Sequence, residues 1–228
     1  MLSRIKLITV LMVSALFILA SCSEDDGSTN SQVETAQVLV AHTSPDAPGV
    51  DLLLDGAVVG NNLEYPNNTG YLEIEEGTRN VQVNVTGTAT TVIDADLPVV
   101  KDLVYSVFAV DEVANLAPLV ILDDLTTPAN GNAHVRFIHL SPDAPAVDIT
   151  TTDGTIVFGD YEFKEYSAFS PLPVGTYDLQ VRLQGTSTVV LDLPGITVDN
   201  QKIYTVFAKG FVAGMDTQAL GAEIIVNK

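Results

Sequence analysis

Residues His42–Asp51 read HTSPDAPGVD, and residues His139–Asp148 read HLSPDAPAVD, 97 positions later. A repeated segment of this length is the first feature that decides a fold. Two further pairs match at offsets of 98 and 99, GT-x3-QV at Gly77 and Gly175 and YSVFA or YTVFA at Tyr105 and Tyr204. The chain therefore contains a duplicated domain, with copies predicted at 37–125 and 134–228 and a linker at 126–133.

Both copies have the pattern of short strands. Val38, Val40 and His42 share one face of a predicted strand, as Val135, Phe137 and His139 do in the second copy. Asp55-Gly56 is a hairpin signal, and Asp153-Gly154 repeats it. Leu103–Val110 and Ile203–Ala208 are apolar on both faces, which is typical of a central sandwich strand. No stretch has a helical period. Strands with turn signals at this spacing predict two all-β, antiparallel sandwiches.

The H-x-S-P-D-A-P-x-V-D start, the glycine before an alternating strand and the late Y-x-V-F-A strand resemble the DUF4397 family. Two such units would cover most of the chain. The resemblance implies immunoglobulin-like β-sandwiches in tandem, often on lipoproteins, and it carries no assigned activity and no catalytic residue.

The N-terminal sequence predicts where in the cell the protein is located. Basic residues followed by the apolar run Leu7–Ile18 are typical of a secretory signal peptide, here residues 1–21. Leu19–Cys22 resembles a lipobox, and Cys22 is the single cysteine of the chain, so lipidation of its thiol would account for it. Residues 22–36 are expected to form a disordered acidic tether.

Ser23–Asp26, a serine and three acids, resembles the export signal of surface lipoproteins in Bacteroidetes. The sequence thus predicts an outer-membrane lipoprotein on the cell surface. The alternatives are that these acids only begin a solvated linker and that the protein faces the periplasm.

The charge of the chain excludes one class of partner. The formal net charge is −19, and taking Arg4 and Lys6 from the 10 bases leaves 8 against 29 acids, or −21 after signal removal. Because affinity for phosphate backbones comes from Lys and Arg, no nucleic-acid binding is expected. Weak collection of calcium is a minor alternative to a role of the charge in solubility.

The repeated motif offers weak candidates for a metal site. His42 with Asp46 or Asp51, and His139 with Asp143 or Asp148, combine imidazole and carboxylate groups that suit a divalent ion. The favoured interpretation is structural, because proline fixes φ and Ser and Asp side chains bond backbone amides in rigid turns. Each histidine would then be half-buried and bonded to its turn. No metal site and no cofactor are predicted.

Catalytic motifs are missing from the sequence. There is no G-x-S-x-G elbow and no zinc-protease helix. Pairs of acids such as Asp94 and Asp96 arise readily by chance in so acidic a chain. We therefore expect no enzyme activity.

Aromatic residues peculiar to the second copy are the best candidates for ligand binding. At the repeat offset, Phe163 and Phe169 correspond to Tyr65 and Tyr71, which predicts core positions. Tyr161 and Tyr166 correspond instead to Leu63 and Asn68. These two rings could stack on a sugar or peptide, and extra loop packing is the alternative.

These observations predict a non-catalytic binding module on a lipid anchor, with a glycan or protein partner. A passive spacer of the envelope without its own ligand is the alternative.

Overall fold

Sixteen β-strands make up nearly all the regular structure of the computed structural model, which describes residues 33–228. The predictions for the signal peptide, for Cys22 and for the tether as far as Gln32 lie outside the described residues. The helices among residues 33–228 are two 3-10 turns of three residues each, and neither could span a membrane.

Eight strands form a first sandwich and eight form a second. The first contains β1 (Thr35–His42), β2 (Val50–Leu54), β3 (Ala57–Leu63), β4 (Asn68–Glu75), β5 (Gly77–Val85), β6 (Thr91–Val99), β7 (Val104–Val110) and β8 (Ala117–Leu122). The second contains β9 (Asn132–His139), β10 (Val147–Thr151), β11 (Ile156–Tyr161), β12 (Ser170–Pro173), β13 (Gly175–Leu183), β14 (Val189–Val198), β15 (Ile203–Lys209) and β16 (Gly221–Val226). Short 3-10 turns at Val113–Asn115 and Asp216–Gln218 precede β8 and β16.

The two sandwiches have the same strand order. Each consists of an inner sheet, β4-β1-β7-β8 or β12-β9-β15-β16, and an outer sheet, β3-β2-β5-β6 or β11-β10-β13-β14. All pairings within these sheets are antiparallel except β1 with β7 and β9 with β15, which are parallel. The predicted all-β sandwich class is confirmed, with one parallel pair in each inner sheet as an added feature.

The hairpin predicted at Asp55-Gly56 joins β2 to β3. Both residues have positive φ, 49° and 79°, as a two-residue turn that follows the twist of the strands requires. The hairpin at Asp153-Gly154 joins β10 to β11 and has positive φ only at the glycine.

The inner sheets are buried on both faces. In β1, Val38 and Val40 point into the core of the first sandwich, whereas Leu39 and Ala41 belong to a cluster that also contains Ile138. That cluster joins the two inner sheets. Its members are Leu39, Ala41, Phe108, Val110 and Ile121 from the first sandwich and Ile138, Leu140, Phe207 and Ile225 from the second.

The described chain is therefore a stack of four sheets, in the order outer, inner, inner, outer. The rings of Phe108 and Phe207 meet edge to face at its centre, with centroids 6.3 Å apart. This packing explains why β7 and β15 are apolar on both faces: one face lies in its own sandwich and the other lies against the neighbouring sandwich.

Candidate functional site

The histidines of the repeated motif are buried and hold their own turns together. His42 is 1% exposed and His139 is 0% exposed. The Nε2 atom of His42 lies 3.0 Å from the Pro48 carbonyl oxygen, and that of His139 lies 3.1 Å from the Pro145 carbonyl oxygen. A carbonyl only accepts, so in each ring Nε2 carries the hydrogen. The predicted bond to the turn is present, and burial is complete where half-burial was expected.

Burial also sets the protonation state of these rings. Loss of hydration disfavours the charged form and lowers the pKa of both His42 and His139, against a smaller opposing effect of the bonded proline carbonyl. The rings are therefore neutral at pH 7.

Asp46 and Asp143 tie the motif to a distant loop. The Oδ1 atom of Asp46 accepts from the backbone amide of Val113 at 2.8 Å, and that of Asp143 accepts from the amide of Val212 at 2.9 Å. Asp46 thus fixes the loop between β7 and β8, and Asp143 fixes the loop between β15 and β16. The sequence suggested bonds to nearby amides, but these partners lie 67 and 69 residues away.

Asp51 and Asp148 fix two further connections in each sandwich. Asp51 accepts hydrogen bonds from the amides of Asn62 and Gly87 at 2.8 and 3.2 Å. Asp148 accepts from the amides of Asp160 and Gly185, both at 2.8 Å. The bond from Asn62, followed by that from Gly87, lowers the pKa of Asp51.

Each copy of the motif therefore forms a clasp, the term used below for His42, Asp46 and Asp51 or for His139, Asp143 and Asp148 with the loops that they bind. Within residues 33–228, no group of three or more His, Cys, Asp and Glu side chains is arranged to hold a metal ion.

The two candidate tyrosines have different environments. Tyr161 is half-buried at the end of β11, and its ring meets Phe137 edge to face with centroids 5.6 Å apart. Tyr166 forms an isolated backbone bridge with Ile138, and the residue is 45% exposed. Tyr166 thus has a ring free to meet solvent, whereas Tyr161 contributes to the core of the second sandwich.

A buried ion pair lies between the two inner sheets, and sequence reasoning missed it. The Nη1 atom of Arg136 in β9 donates to Oδ1 of Asp123, just after β8, at 2.5 Å. Both side chains are almost completely buried. Arg136 also donates through Nε to Thr205 at 2.8 Å and through Nη2 to Ser106 at 3.1 Å.

The second oxygen of Asp123 is satisfied from the same network. Its Oδ2 atom accepts from the hydroxyls of Ser106 at 2.6 Å and Tyr71 at 2.5 Å. Asn227 donates to the Tyr71 hydroxyl at 2.9 Å and accepts from Thr205 at 2.7 Å. Burial, followed by the nearby Asp123 carboxylate, raises the pKa of Tyr71.

The aromatic ring of Phe169 packs against the guanidinium group of Arg136. The Cζ atom of Arg136 lies 4.5 Å from the centroid of the Phe169 ring, a distance at which a cation and an aromatic face attract. The predicted core position of Phe169 is thus at the junction between sandwiches. A signal was present in the sequence, because Arg136 is a charged residue between the apolar Val135 and Phe137.

Further contacts join the sandwiches at the edge of the junction. Lys164 pairs with Asp111 at 2.7 Å, and the ammonium of Lys209 lies 5.3 Å from the centroid of the Tyr65 ring. The Nζ atom of Lys164 also lies 4.8 Å from the centroid of the Phe163 ring.

These elements define a protein of two β-sandwiches, each closed by a clasp and joined face to face across a buried polar network. A family model described as "Domain of unknown function (DUF4397)" matches residues 36–150, just over half of the chain, from β1 into β10. The chain belongs to the DUF4397 family. No curated protein matches it.

Proposed function

We propose that the chain is a non-catalytic binding protein of the cell envelope, held by a lipid on Cys22, in which two tandem DUF4397 domains form one rigid body. The observation that carries the proposal is the use of the motif's polar groups in the clasps. With those groups committed to the fold, selective binding falls to residues that differ between the two sandwiches.

The tandem arrangement is supported by position-by-position agreement. Both sandwiches have the same strand order. Both histidines bond a proline carbonyl six residues on, and Asp46 and Asp143 bond the loop after the corresponding strand. The family match begins in the first sandwich and extends into the second.

Lipid attachment and surface display are supported by the sequence alone. The lipobox-like Leu19–Cys22 and the acids of Ser23–Asp26 favour an outer-membrane lipoprotein that faces outward. Two or three acyl chains would give stable attachment. The periplasmic face is the alternative location.

The rigid junction supports a binding surface of fixed shape, and the passive spacer without its own ligand is the alternative. In the buried ion pair, each guanidinium nitrogen of Arg136 and both carboxylate oxygens of Asp123 make a hydrogen bond. This pair favours one arrangement of the two sheets, because sliding would separate buried charges. A body of fixed shape presents its loops without the ordering cost that weakens binding by flexible segments. Among residues peculiar to the second sandwich, the exposed ring of Tyr166 suits a glycan or a protein partner.

Protease shaving of intact cells tests the location. We expect the protein to be lost from unbroken cells while a periplasmic marker survives. The Cys22→Ser variant should no longer sediment with membranes. Protection of the wild-type protein until lysis would contradict surface display, and unchanged sedimentation of the variant would contradict the anchor.

Glycan arrays and defined host or envelope proteins test the binding role. Retention of the wild-type chain on a partner should weaken in Tyr166→Ala. Tyr161→Phe is the matched variant for the second ring, because it keeps the contact with Phe137 that Tyr161→Ala would remove. Retention that is equal in all three proteins would exclude this aromatic surface, and the passive spacer would then be favoured.

A further inference from the structure

Strand β16 forms an open edge of the second sandwich. It lies at the end of the inner sheet β12-β9-β15-β16, and no strand within residues 33–228 pairs with its outer side. Asn227, directly after β16, donates its backbone amide to Ile203 of β15. Because inward and outward amides alternate along an antiparallel strand, the amides of Ala222, Ile224 and Val226 point away from β15.

The corresponding edge of the first sandwich is blocked by a proline. Strand β8 pairs with β7 in the register in which β16 pairs with β15, so Pro118 corresponds to Ala222 and Val120 corresponds to Ile224. Proline has no amide hydrogen to donate, and a proline on an edge strand hinders pairing with a further strand. Alanine at position 222 leaves the amide available.

The other edge strands are also protected. Strands β6, β8, β12 and β14 contain proline, and β3, β4 and β11 have register shifts in their pairing. Prolines and bulges both keep an edge from acting as a template for another strand. Within residues 33–228, β16 is the one edge strand with neither feature, so the edge that a second copy of the chain offers to β16 is its own β16.

Two apolar side chains of β16 are left partly in solvent at this edge. Ile224 is 37% exposed and Val226 is 59% exposed. Ile224 borders the core of its own sandwich together with Ile196 and Val206. A strand added beside β16 would cover the exposed parts of both side chains and remove them from water, which is favourable for association.

The charges at the two ends of β16 favour a second copy as the added strand. Glu223, near the start, makes no ion pair with any residue of 33–228. Lys228, after the end, donates to the neutral oxygens of Leu125 and Thr127. Antiparallel pairing brings the start of one β16 to the end of the other, so the acidic end of each copy approaches the basic end of its neighbour.

One register uses all three outward residues. With a two-fold axis at Ile224, each Ala222 pairs with Val226 of the second copy, and Ile224 pairs with itself. Glu223 then lies opposite Ile225 of the second copy, so no like charges are directly opposite each other, an arrangement that would be destabilising.

We propose that two copies of the chain associate through their β16 strands, which pair antiparallel about a two-fold axis at Ile224 and join two four-stranded inner sheets into one sheet of eight strands. Such a contact is closed, because the same edge is used on both copies. It is only one strand wide, so the dimer dissociates on dilution, unlike an obligate dimer. The contact requires neither the lipid anchor nor the exposed Tyr166 surface.

Sedimentation equilibrium tests the proposal. Residues 23–228 serve as the protein, because the strand pairings and cores described above join residues of 33–228 only. We expect a monomer that becomes a dimer as the concentration rises toward about 1 mM, the range of a weak contact. Ala222→Pro introduces the residue of the first sandwich and should weaken dimerisation roughly 5- to 160-fold, because each dimer loses two hydrogen bonds.

A matched pair of cysteine variants tests the register. Residues 23–228 contain no cysteine, because Cys22 is the single one of the chain. Facing residues of a hydrogen-bonded antiparallel pair have Cα atoms about 5.5 Å apart, a spacing that a disulfide spans. Ile224→Cys should therefore form a disulfide-linked dimer on mild oxidation. Val120→Cys is the control, because it occupies the corresponding position of β8 and Val120 is 42% exposed.

Each result either supports or overturns the proposal. A protein that remains monomeric at all these concentrations would overturn it and leave the edge to a strand of a different protein. Dimerisation that Ala222→Pro leaves unchanged, equal cross-linking of the two cysteine variants, or open-ended assemblies would also overturn it. If Ala222→Pro does not fold, the two cysteine variants decide, because each replaces an exposed side chain.

Discussion

The two sandwiches carry equivalent clasps, yet they differ at the four positions where their inner sheets exchange hydrogen bonds. Corresponding residues can be assigned because β1 pairs with β7 in the same register as β9 pairs with β15. The corresponding pairs are Leu39 and Arg136, Tyr71 and Phe169, Ser106 and Thr205, and Asp123 and Asn227. The clasps fix each sandwich by itself, whereas these four pairs fix one sandwich on the other.

This difference shows how a junction between similar domains becomes specific. Two identical copies related by a two-fold axis would present the same residue to each other twice. Here the positive charge belongs to the second sandwich and the negative charge to the first, so Arg136 meets Asp123 once. The junction is therefore built for two different sandwiches.

The largest loss of stability is expected when position 136 of the second sandwich is given the residue of the first sandwich. Arg136→Leu introduces the residue found at position 39 and leaves the Asp123 carboxylate buried without its countercharge. Breaking a buried pair in this way costs about 3–5 kcal/mol. Urea denaturation should show this loss in the free energy of unfolding.

The double variant Arg136→Leu with Asp123→Asn is the control, because it removes both charges and makes the two sides alike. It should recover most of the lost stability, as uncharged replacements of buried pairs often do. A single variant as stable as the wild type would contradict the junction, and so would a double variant less stable than the single one.

A smaller effect is expected from Tyr71→Phe, which introduces the residue found at position 169. The variant loses the hydroxyl that donates to Asp123 at 2.5 Å and accepts from Asn227 at 2.9 Å. A hydrogen bond to a charged group contributes about 1.5–3 kcal/mol, and the free energy of unfolding should fall by this amount. Tyr166→Phe is the matched control; a similar loss there would show that the Tyr71 effect is not specific to the network.

The sequence predicted the sandwiches better than it predicted their junction. Alternation, glycine positions and the Asp55-Gly56 hairpin act over a few residues, and they led to the correct class. The apolar character of both faces of Leu103–Val110 was interpreted as that of a central sandwich strand. Periodicity reports how many faces are buried, but it does not report that the second face packs on another sandwich.

In the candidate site, too, the sequence predicted contacts between residues close in the chain and missed contacts that depend on the whole fold. The bond from each histidine to its own turn spans six residues, and the motif suggested it. Asp46 and Asp143 instead bind loops whose position follows from the fold of a whole sandwich. Arg136 and Asp123 are close in sequence, yet they meet only after both inner sheets have formed.

The two clasps should behave alike when the pH falls. Burial lowers the pKa of His42 and His139 in the folded chain, and in the unfolded chain a histidine titrates near 6.5. Below about pH 6.5 the unfolded chain therefore binds more protons than the folded chain. The stability from the neutral rings is complete above that pH and decreases below it, by up to about 1.4 kcal/mol per pH unit for each histidine.

Denaturation from pH 7 to pH 5 measures this slope, with His42→Leu and His139→Leu for comparison. Each variant should be less stable at pH 7 and should lose one histidine's share of the slope. Ring protons of His42 and His139 that titrate at pH 6.5 or above in NMR spectra would contradict the effect of burial. A slope that persists unchanged in both variants would assign it to other groups.

The smallest effect is expected where the second sandwich has a ring that the first lacks. Tyr166→Asn introduces the residue of the corresponding position 68 at a site that is 45% exposed, and exposed substitutions change stability by about 0.5 kcal/mol or less. Tyr161→Leu should cost more, because the Tyr161 ring packs on Phe137. Thermal unfolding of both variants therefore ranks the two rings: a melting temperature that is unchanged only in Tyr166→Asn identifies Tyr166 as a ring that does not support the fold. Equal losses in both variants would make Tyr166 part of the packing, and the case for a binding surface at this position would fall with it.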